Sequence, residues 1–325
     1  MLCTRRTVCI PLRLIGSFHT KYKFVQLDAS ADVIETCRVQ VDRYNSQLPE
    51  KCQLDHALPL PKKTPAYQKH VLLISPGSGA WKCDWQSKLE LSVEWPYSFI
   101  SKLKNALLKI DGSGGILFNA ICLQHGKPLL PKTSMDEYAA FLVIPDFRIY
   151  NVHKERIEEF AHFLTGNEIC SNRPPPSKLL FNDFLRGASK TIINKESPVG
   201  IESKPIENPF EGEIYDRSLV LICGHGKRDT RCGVIAPELV SSLYKELGDV
   251  DTDIAIVSHI GGHKFAGNLI WYKNFGTDIK GITKFDALWF ARVMPGAVPL
   301  LVSKVLKNEI IENFYRGGVS NKRNE

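Results

Sequence analysis

Twice along this chain a short, unbroken apolar run is followed by an amphipathic stretch and then by further apolar runs. In the first half the runs are His70-Val71-Leu72-Leu73-Ile74-Ser75, Ile116-Leu117-Phe118-Asn119-Ala120-Ile121 and Ala140-Phe141-Leu142-Val143-Ile144. Residues 96–110 place Phe99, Leu103, Leu107 and Leu108 at helical intervals, and 154–165 do the same with Ile157, Phe160 and Phe163. The second half repeats the order. Strands are expected over 218–222, 253–257, 268–272 and 286–293, and a helix over 237–247 opens on a proline, where proline is tolerated. A long closing helix is expected over 296–315, with Val298, Leu301, Val305, Leu306, Ile310 and Phe314 on its apolar side. This pattern predicts an α/β layer arrangement, compatible with a thioredoxin-like core.

Two loops of the second half carry the chemistry. Cys223-Gly-His-Gly-Lys-Arg-Asp-Thr-Arg-Cys232 presents two thiols, and Ser258-His259-Ile260-Gly261-Gly262-His263-Lys264 presents two imidazoles. Two soft thiolates and two imidazoles form a ligand set for zinc or for an iron–sulfur centre. Zinc knuckles usually draw their thiolates from one tight turn, with two to four residues between them. Here eight residues intervene, and Gly261-Gly262 makes a helix joining the histidines unfavourable. Loop histidines just after a strand, and a binuclear cluster, suit the spacing better. The glycines Gly224, Gly226 and Gly233 allow backbone amides to come close to sulfur. The 224–227 stretch lacks the spacer and ending of a phosphate loop.

The chain is long enough for two domains. Asn172-Arg173-Pro174-Pro175-Pro176 marks a break, and 171–216 reads as a Pro-rich linker with a short helix at 179–185. That leaves an N-terminal domain over 28–170, a C-terminal domain over 217–316 and a tail over 317–325. The halves align by eye. Leu72-Leu73-Ile74-Ser75 stands against Val220-Leu221-Ile222-Cys223, Cys83 falls near Cys232, and Cys122-Leu123-Gln124-His125-Gly126-Lys127 resembles the His259–Lys264 loop. The expectation is an old duplication whose N-terminal copy has lost its site, with Ser75 in place of one thiolate.

Charge and cysteine usage narrow the setting. Of a net charge of +7, five positive charges (Arg5, Arg6, Arg13, Lys21 and Lys23) precede the first acid, Asp28. They are interspersed with Val8, Ile10, Leu12, Leu14, Ile15 and Phe18, the pattern of a mitochondrial transit segment over 1–27 that stands outside the fold. With the excess charge located there, a nucleic-acid role is disfavoured. Nine cysteines without a secretory signal point to thiols or metal ligands in a reducing compartment. None forms a Cys-x-x-Cys pair, so dithiol exchange of the thioredoxin kind is not indicated. No apolar run approaches the length of a membrane span.

Cys-x-His-Gly-x-Arg-Asp-x-Arg-Cys-Gly over 223–233, followed by Ser-His-x-Gly-Gly-His-Lys-Phe-Ala-Gly-Asn over 258–268, resembles the sucrase/ferredoxin-like family. Trp289-Phe290-Ala291-Arg292-Val293-Met294-Pro295 looks like the close of a thioredoxin-like ferredoxin. The resemblance is strong over 217–316 and looser over 65–170. It implies a thioredoxin-like ferredoxin fold with a 2Fe–2S cluster, Cys223 and Cys232 on one iron and His259 and His263 on the other. It further implies a mitochondrial electron carrier, in the matrix, the intermembrane space or both, that serves redox and thiol maintenance with a protein redox partner. Two neutral imidazoles in place of two thiolates would make the cluster less negative and easier to reduce, as in centres of the Rieske type. Loss of a second imidazole proton would couple that reduction to pH. The basic His225, Lys227, Arg228 and Arg231 would suit an acidic partner. No paired-carboxylate logic recommends glycoside hydrolysis. A structural zinc module and a metal-free thiol oxidoreductase are the other readings that the residues allow.

Overall fold

The computed structural model describes residues 13–14, 18–28, 31–55, 57–76, 85–110, 114–125, 137–166, 210–248, 250–279 and 281–321. In chain order the elements begin with β1 (Arg13–Leu14), β2 (Lys23–Val25), α1 (Asp32–Asn45), β3 (Lys69–Ile74) and α2 (Ser98–Leu107). Next come β4 (Ile116–His125), β5 (Tyr138–Ile144), β6 (Arg148–His153) and α3 (Ile157–Thr165). The second half holds β7 (Glu213–Ile214), β8 (Ser218–Cys223), α4 (Thr230–Leu247), β9 (Thr252–Val257), β10 (Leu269–Thr277) and β11 (Thr283–Phe290). It closes with α5 (Val298–Leu306), β12 (Glu309–Ile311) and β13 (Tyr315–Ser320).

One mixed sheet of 11 strands runs through both halves in the order β1-β13-β11-β10-β8-β9-β4-β3-β5-β6-β7. Its inner strands are covered on both faces, which is why they read as continuous apolar runs rather than alternating ones. Leu219, Val220, Leu221 and Ile222 are all fully buried, as are Val71, Leu72 and Leu73. The sequence division at 170 and 217 does not divide the sheet: β4 and β9 pair antiparallel at its middle, and one apolar core draws on both halves.

Each half contributes four strands with the same order and sense. In the first, β3 is parallel to β4 and antiparallel to β5, which pairs antiparallel with β6. In the second, β8 stands in the same way to β9, β10 and β11. The ladders set Lys69 at the place of Ser218 and Ile116 at the place of Thr252. On that register Ile121 corresponds to Val257, and these two are paired across the β4–β9 junction, where a local two-fold axis would pass. Ile74, and not Ser75, therefore occupies the position of Cys223, and Ser75 matches Gly224. The alignment by eye is off by one residue because both runs are uniformly apolar.

Several sequence boundaries move. The long helix expected over 296–315 ends at Leu306, because Asn308 turns left-handed (φ 59°) and Glu309-Ile310-Ile311 pairs with β2 as a strand. The tail expected over 317–325 begins inside β13, which pairs with β11. The strand expected over 286–293 is β11, displaced towards the N-terminus, and Arg292 has a positive φ of 58°. The helix expected over 237–247 starts at Thr230, with Pro237 inside it. The elements α1 and β6 were not anticipated. The short helix at 179–185, and the linker as far as 209, lie outside the described residues, as do Cys83 and Cys170.

The described parts of both flanking segments are built into the molecule. Phe210 is buried against Phe160 and Phe163, and β7 pairs with β6, so the end of the expected linker docks on the first half. Residues 18–27, assigned from sequence to the targeting segment, are also part of the fold. The fully buried Asp286 accepts hydrogen bonds from the backbone N–H groups of His19 (2.8 Å) and Thr20 (3.0 Å) and from the Tyr22 hydroxyl (3.2 Å). Hydrogen bonds to a charged group of this kind contribute about 1.5–3 kcal/mol each.

Candidate metal centre

Cys223 ends β8 at the middle of the sheet, and Cys232 lies in the first turn of α4. Eight residues separate them, yet the chain folds back to bring them together. The device is a close approach of two glycines: a Cβ on Gly233 would stand 2.6 Å from the Gly226 Cα. Asp229 caps α4 by accepting the Arg231 N–H at 3.1 Å, an N-cap readable in Asp229-Thr230-Arg231. Gly233→Ala is expected to run against helix propensity. In a free helix alanine gains about 1 kcal/mol over glycine, whereas here overpacking should cost about 1–3 kcal/mol. Urea unfolding of the variant checks it, since a midpoint at or above wild type would show that the two glycines do not touch.

The two thiols are buried and hydrogen-bonded to one another. That shared proton holds the first ionisation, at Cys223, well below the usual thiol range despite burial, helped by His259 and the Ile260 N–H. The second, at Cys232, is pushed well above that range by its hydrogen bond to Cys223, by burial and by the Cys223 charge. A buried guanidinium, Arg316, feels the same charge. Burial lowers its pKa while Cys223 opposes the shift. Arg316 donates to Asn268 Oδ1 (3.1 Å) and to the Lys63 carbonyl (3.2 Å), leaving its Nε without a partner.

The histidines follow β9, as the sequence suggests, on a loop turned by Gly261 (φ 83°) and Gly262 (φ 73°). A Cβ on Gly262 would fall 2.7 Å from Arg316 Nη1, so the loop lies directly over that guanidinium. Asn268 ties it down by donating to the Gly262 carbonyl at 2.9 Å. The two rings lie 5.4 Å apart between centroids, inclined by 33°. Nδ1 of His259 and Nδ1 of His263 are both buried and have no hydrogen-bond partner. Nε2 of His263 lies 4.0 Å from Asp229 Oδ2, and its side chain is 41% exposed.

His225, placed among possible docking residues by the sequence, is instead buried and structural. Its Nδ1 accepts the His259 N–H (3.3 Å), its Nε2 donates to the Gln86 carbonyl (2.9 Å), and Trp85 meets its ring edge-on. It cannot serve as a third imidazole ligand without surrendering one of these bonds. Arg231 is likewise buried, paired with Asp229 through two hydrogen bonds of 2.9 and 2.8 Å. Lys227 and Arg228 are exposed. All four residues singled out from sequence thus gather at one end of β8 and β9, as a thiol pair and an imidazole pair. Among the described residues no three His, Cys, Asp or Glu side chains converge as one metal ion requires. Asp229, Asn268 and Arg316 were not anticipated; Arg316 is distant in sequence and carries no motif. On the first half, the register puts Ile74 and Leu123 at the places of Cys223 and His259.

A sequence model of the sucrase/ferredoxin-like family matches residues 60–317. Among similar proteins is "Altered inheritance of mitochondria protein 32" of Eremothecium gossypii, 45% identical over 310 residues, covering 95% of this chain and 96% of that protein. The proteins of the same name from Kluyveromyces lactis and Saccharomyces cerevisiae are 37% and 39% identical, over 93% and 94% of this chain and 91% and 96% of their own lengths. No solved structure matches. No helix among the described residues is long and apolar enough to cross a membrane.

Proposed function

The chain belongs to the sucrase/ferredoxin-like family, and from that premise we propose that it is a mitochondrial electron-transfer protein whose Cys223, Cys232, His259 and His263 hold a 2Fe–2S cluster. The mitochondrial part is supported by the name its relatives carry. The observation that carries the cluster is the pair of unpartnered Nδ1 atoms beside the thiol pair. A buried nitrogen without a partner costs about 1–3 kcal/mol, and buried polar atoms are nearly always satisfied. Two such atoms on one loop, next to two buried thiols, are accounted for if all four are ligands. The separation into two pairs favours a binuclear group over one tetrahedral zinc ion.

A 2Fe–2S group held in this way supplies a one-electron couple, at about −150 to +300 mV for bis-histidine centres. The protein's own residues do the rest. Cys223 gives up its proton readily, which a thiolate ligand must do. His225 and Asn268 fix the histidine loop from both sides. The Cys side is sealed from water, whereas His263 reaches solvent, so the imidazole edge is the side a partner meets. Arg228 and Lys264 are exposed there, which favours an acidic redox protein as that partner. Apolar Ile74 and Leu123 at the matching places support a duplication in which only the second copy holds a site. A metal-free thiol mechanism is less well supported: Cys37 and Cys122 are buried, and burial raises Cys37 to about 11.

Electron paramagnetic resonance on anaerobically purified, dithionite-reduced protein tests the reading, with iron and sulfide assayed on the same sample. A Rieske-like signal with about two irons and two sulfides per chain is the expected result. One zinc, no iron and no signal would move the site to a structural role.

A further inference from the structure

Five polar side chains are linked through the otherwise apolar core. Tyr67 and Tyr272 share a hydroxyl–hydroxyl bond of 2.9 Å, and the Tyr272 hydroxyl meets His70 Nδ1 at 2.7 Å. His70 Nε2 lies 2.9 Å from Asn119 Oδ1, and Asn119 Nδ2 donates to Ser258 Oγ (2.9 Å) and to the His259 carbonyl (3.1 Å). His70 is fully buried and Asn119 nearly so. The amide of Asn119 must turn its nitrogen to the 258–259 segment, so its oxygen accepts from His70 Nε2–H, and His70 Nδ1 accepts from Tyr272. The relay is therefore directed, and its last carbonyl belongs to a proposed ligand. Burial lowers His70 to about 4, which keeps the ring neutral and in that tautomer.

The molecule contains its own control. On the register of the two halves, His70 corresponds to Leu219, Asn119 to Ala255 and Tyr272 to Ile144. All three counterparts are fully buried and apolar. The same strand arrangement thus packs without polar groups where Cys122 and Leu123 stand at the places of Ser258 and His259. Polar groups occupy these places only on the path that leads to His259. Buried polar networks gain little stability over apolar packing, and what they provide instead is a fixed position.

We propose that the first half serves the site of the second: His70 and Asn119 are positioning residues that set the backbone of the Ser258–His259 segment and so aim the His259 ring. This rests on the four-ligand reading for its consequence but not for its geometry. The experiment compares wild type with His70→Leu, which copies the site-less half, and with His70→Gln, whose amide can still donate to Asn119 and accept from Tyr272. Hydrogen exchange of the 257–265 segment is followed by mass spectrometry, and nitrogen couplings of the reduced protein by pulsed paramagnetic resonance.

Exchange in the segment should be about tenfold faster in His70→Leu, as the loss of one buried hydrogen bond implies, while α3 and β6 keep wild-type protection. The histidine nitrogen couplings should change as well, and His70→Gln should restore both. Wild-type exchange and couplings in His70→Leu would overturn the proposal, as would a folded His70→Gln protein no better than His70→Leu. Absence of iron from wild type would defeat the electron-transfer reading alone, and the exchange comparison would still decide the relay.

Discussion

Cys223→Ser protein, purified without oxygen, is expected to be colourless and to lose nearly all bound iron, sulfide and reduced-state signal. The reason lies in what the sulfur does at the end of β8. It is 2% exposed, shares a proton with Cys232, and is favoured as thiolate by His259 and the Ile260 N–H. A serine hydroxyl at the same place is a harder ligand that does not ionise near neutral pH, and its oxygen sits closer to Cβ than sulfur does. The fold should survive, because burying a hydroxyl in place of a thiol costs about 1–3 kcal/mol, and far-ultraviolet circular dichroism should match wild type. Cys232→Ser should behave alike, with one difference. Its position in the first turn of α4 leaves the β8 end intact, so more residual labile iron is expected there than in Cys223→Ser. A normal spectrum in either variant would remove that cysteine from the ligand set.

The site was legible from sequence to a degree that the fold was not, for a physical reason. The proposed ligands bracket two glycine-bearing turns, Cys223 and Cys232 the one after β8 and His259 and His263 the one after β9, and donor types grouped with glycine in this way stand out locally. The devices that hold them do not. Asp229 was readable as a cap, yet the proline at 237 draws the helix start towards itself. Pro237 instead lies two turns inside α4, which begins at Thr230, and has no N–H to offer the Gly233 carbonyl. The closing helix was overextended because Ile310 and Phe314 continue the helical spacing of α5. Nothing in that spacing reveals that Asn308 leaves the right-handed region or that β2 waits to pair with Glu309–Ile311. The docking of residues 18–22 on Asp286 is a contact across more than 260 positions, and its partners are ordinary backbone amides. The relay from Tyr67 to His259 is hidden in the same way: each member is one polar residue in an apolar strand or loop.

Replacing His263 by cysteine should keep a cluster but lower its potential by on the order of 200 mV, part of the interval that separates bis-histidine centres from all-thiolate ferredoxins. The substitution adds one thiolate and thus one negative charge, which opposes electron uptake. It is sterically feasible because the buried, unpartnered nitrogen of His263 is Nδ1, only one bond further from the backbone than a cysteine sulfur. The loop can also adjust, since Gly261 and Gly262 already carry positive φ values and His263 lies at the solvent edge. His259 offers no such latitude: its N–H is held by His225 and its carbonyl by Asn119. His259→Cys should therefore assemble less cluster than His263→Cys, with a comparable shift in the fraction that forms. Protein-film voltammetry on both variants separates the outcomes. A His263→Cys potential equal to wild type would mean that the imidazole is not on the metal, and that the unpartnered Nδ1 atoms have another cause. A lowered potential in both variants would place one imidazole on each of two ligand positions, and would make the exposed His263 edge the natural route for the electron.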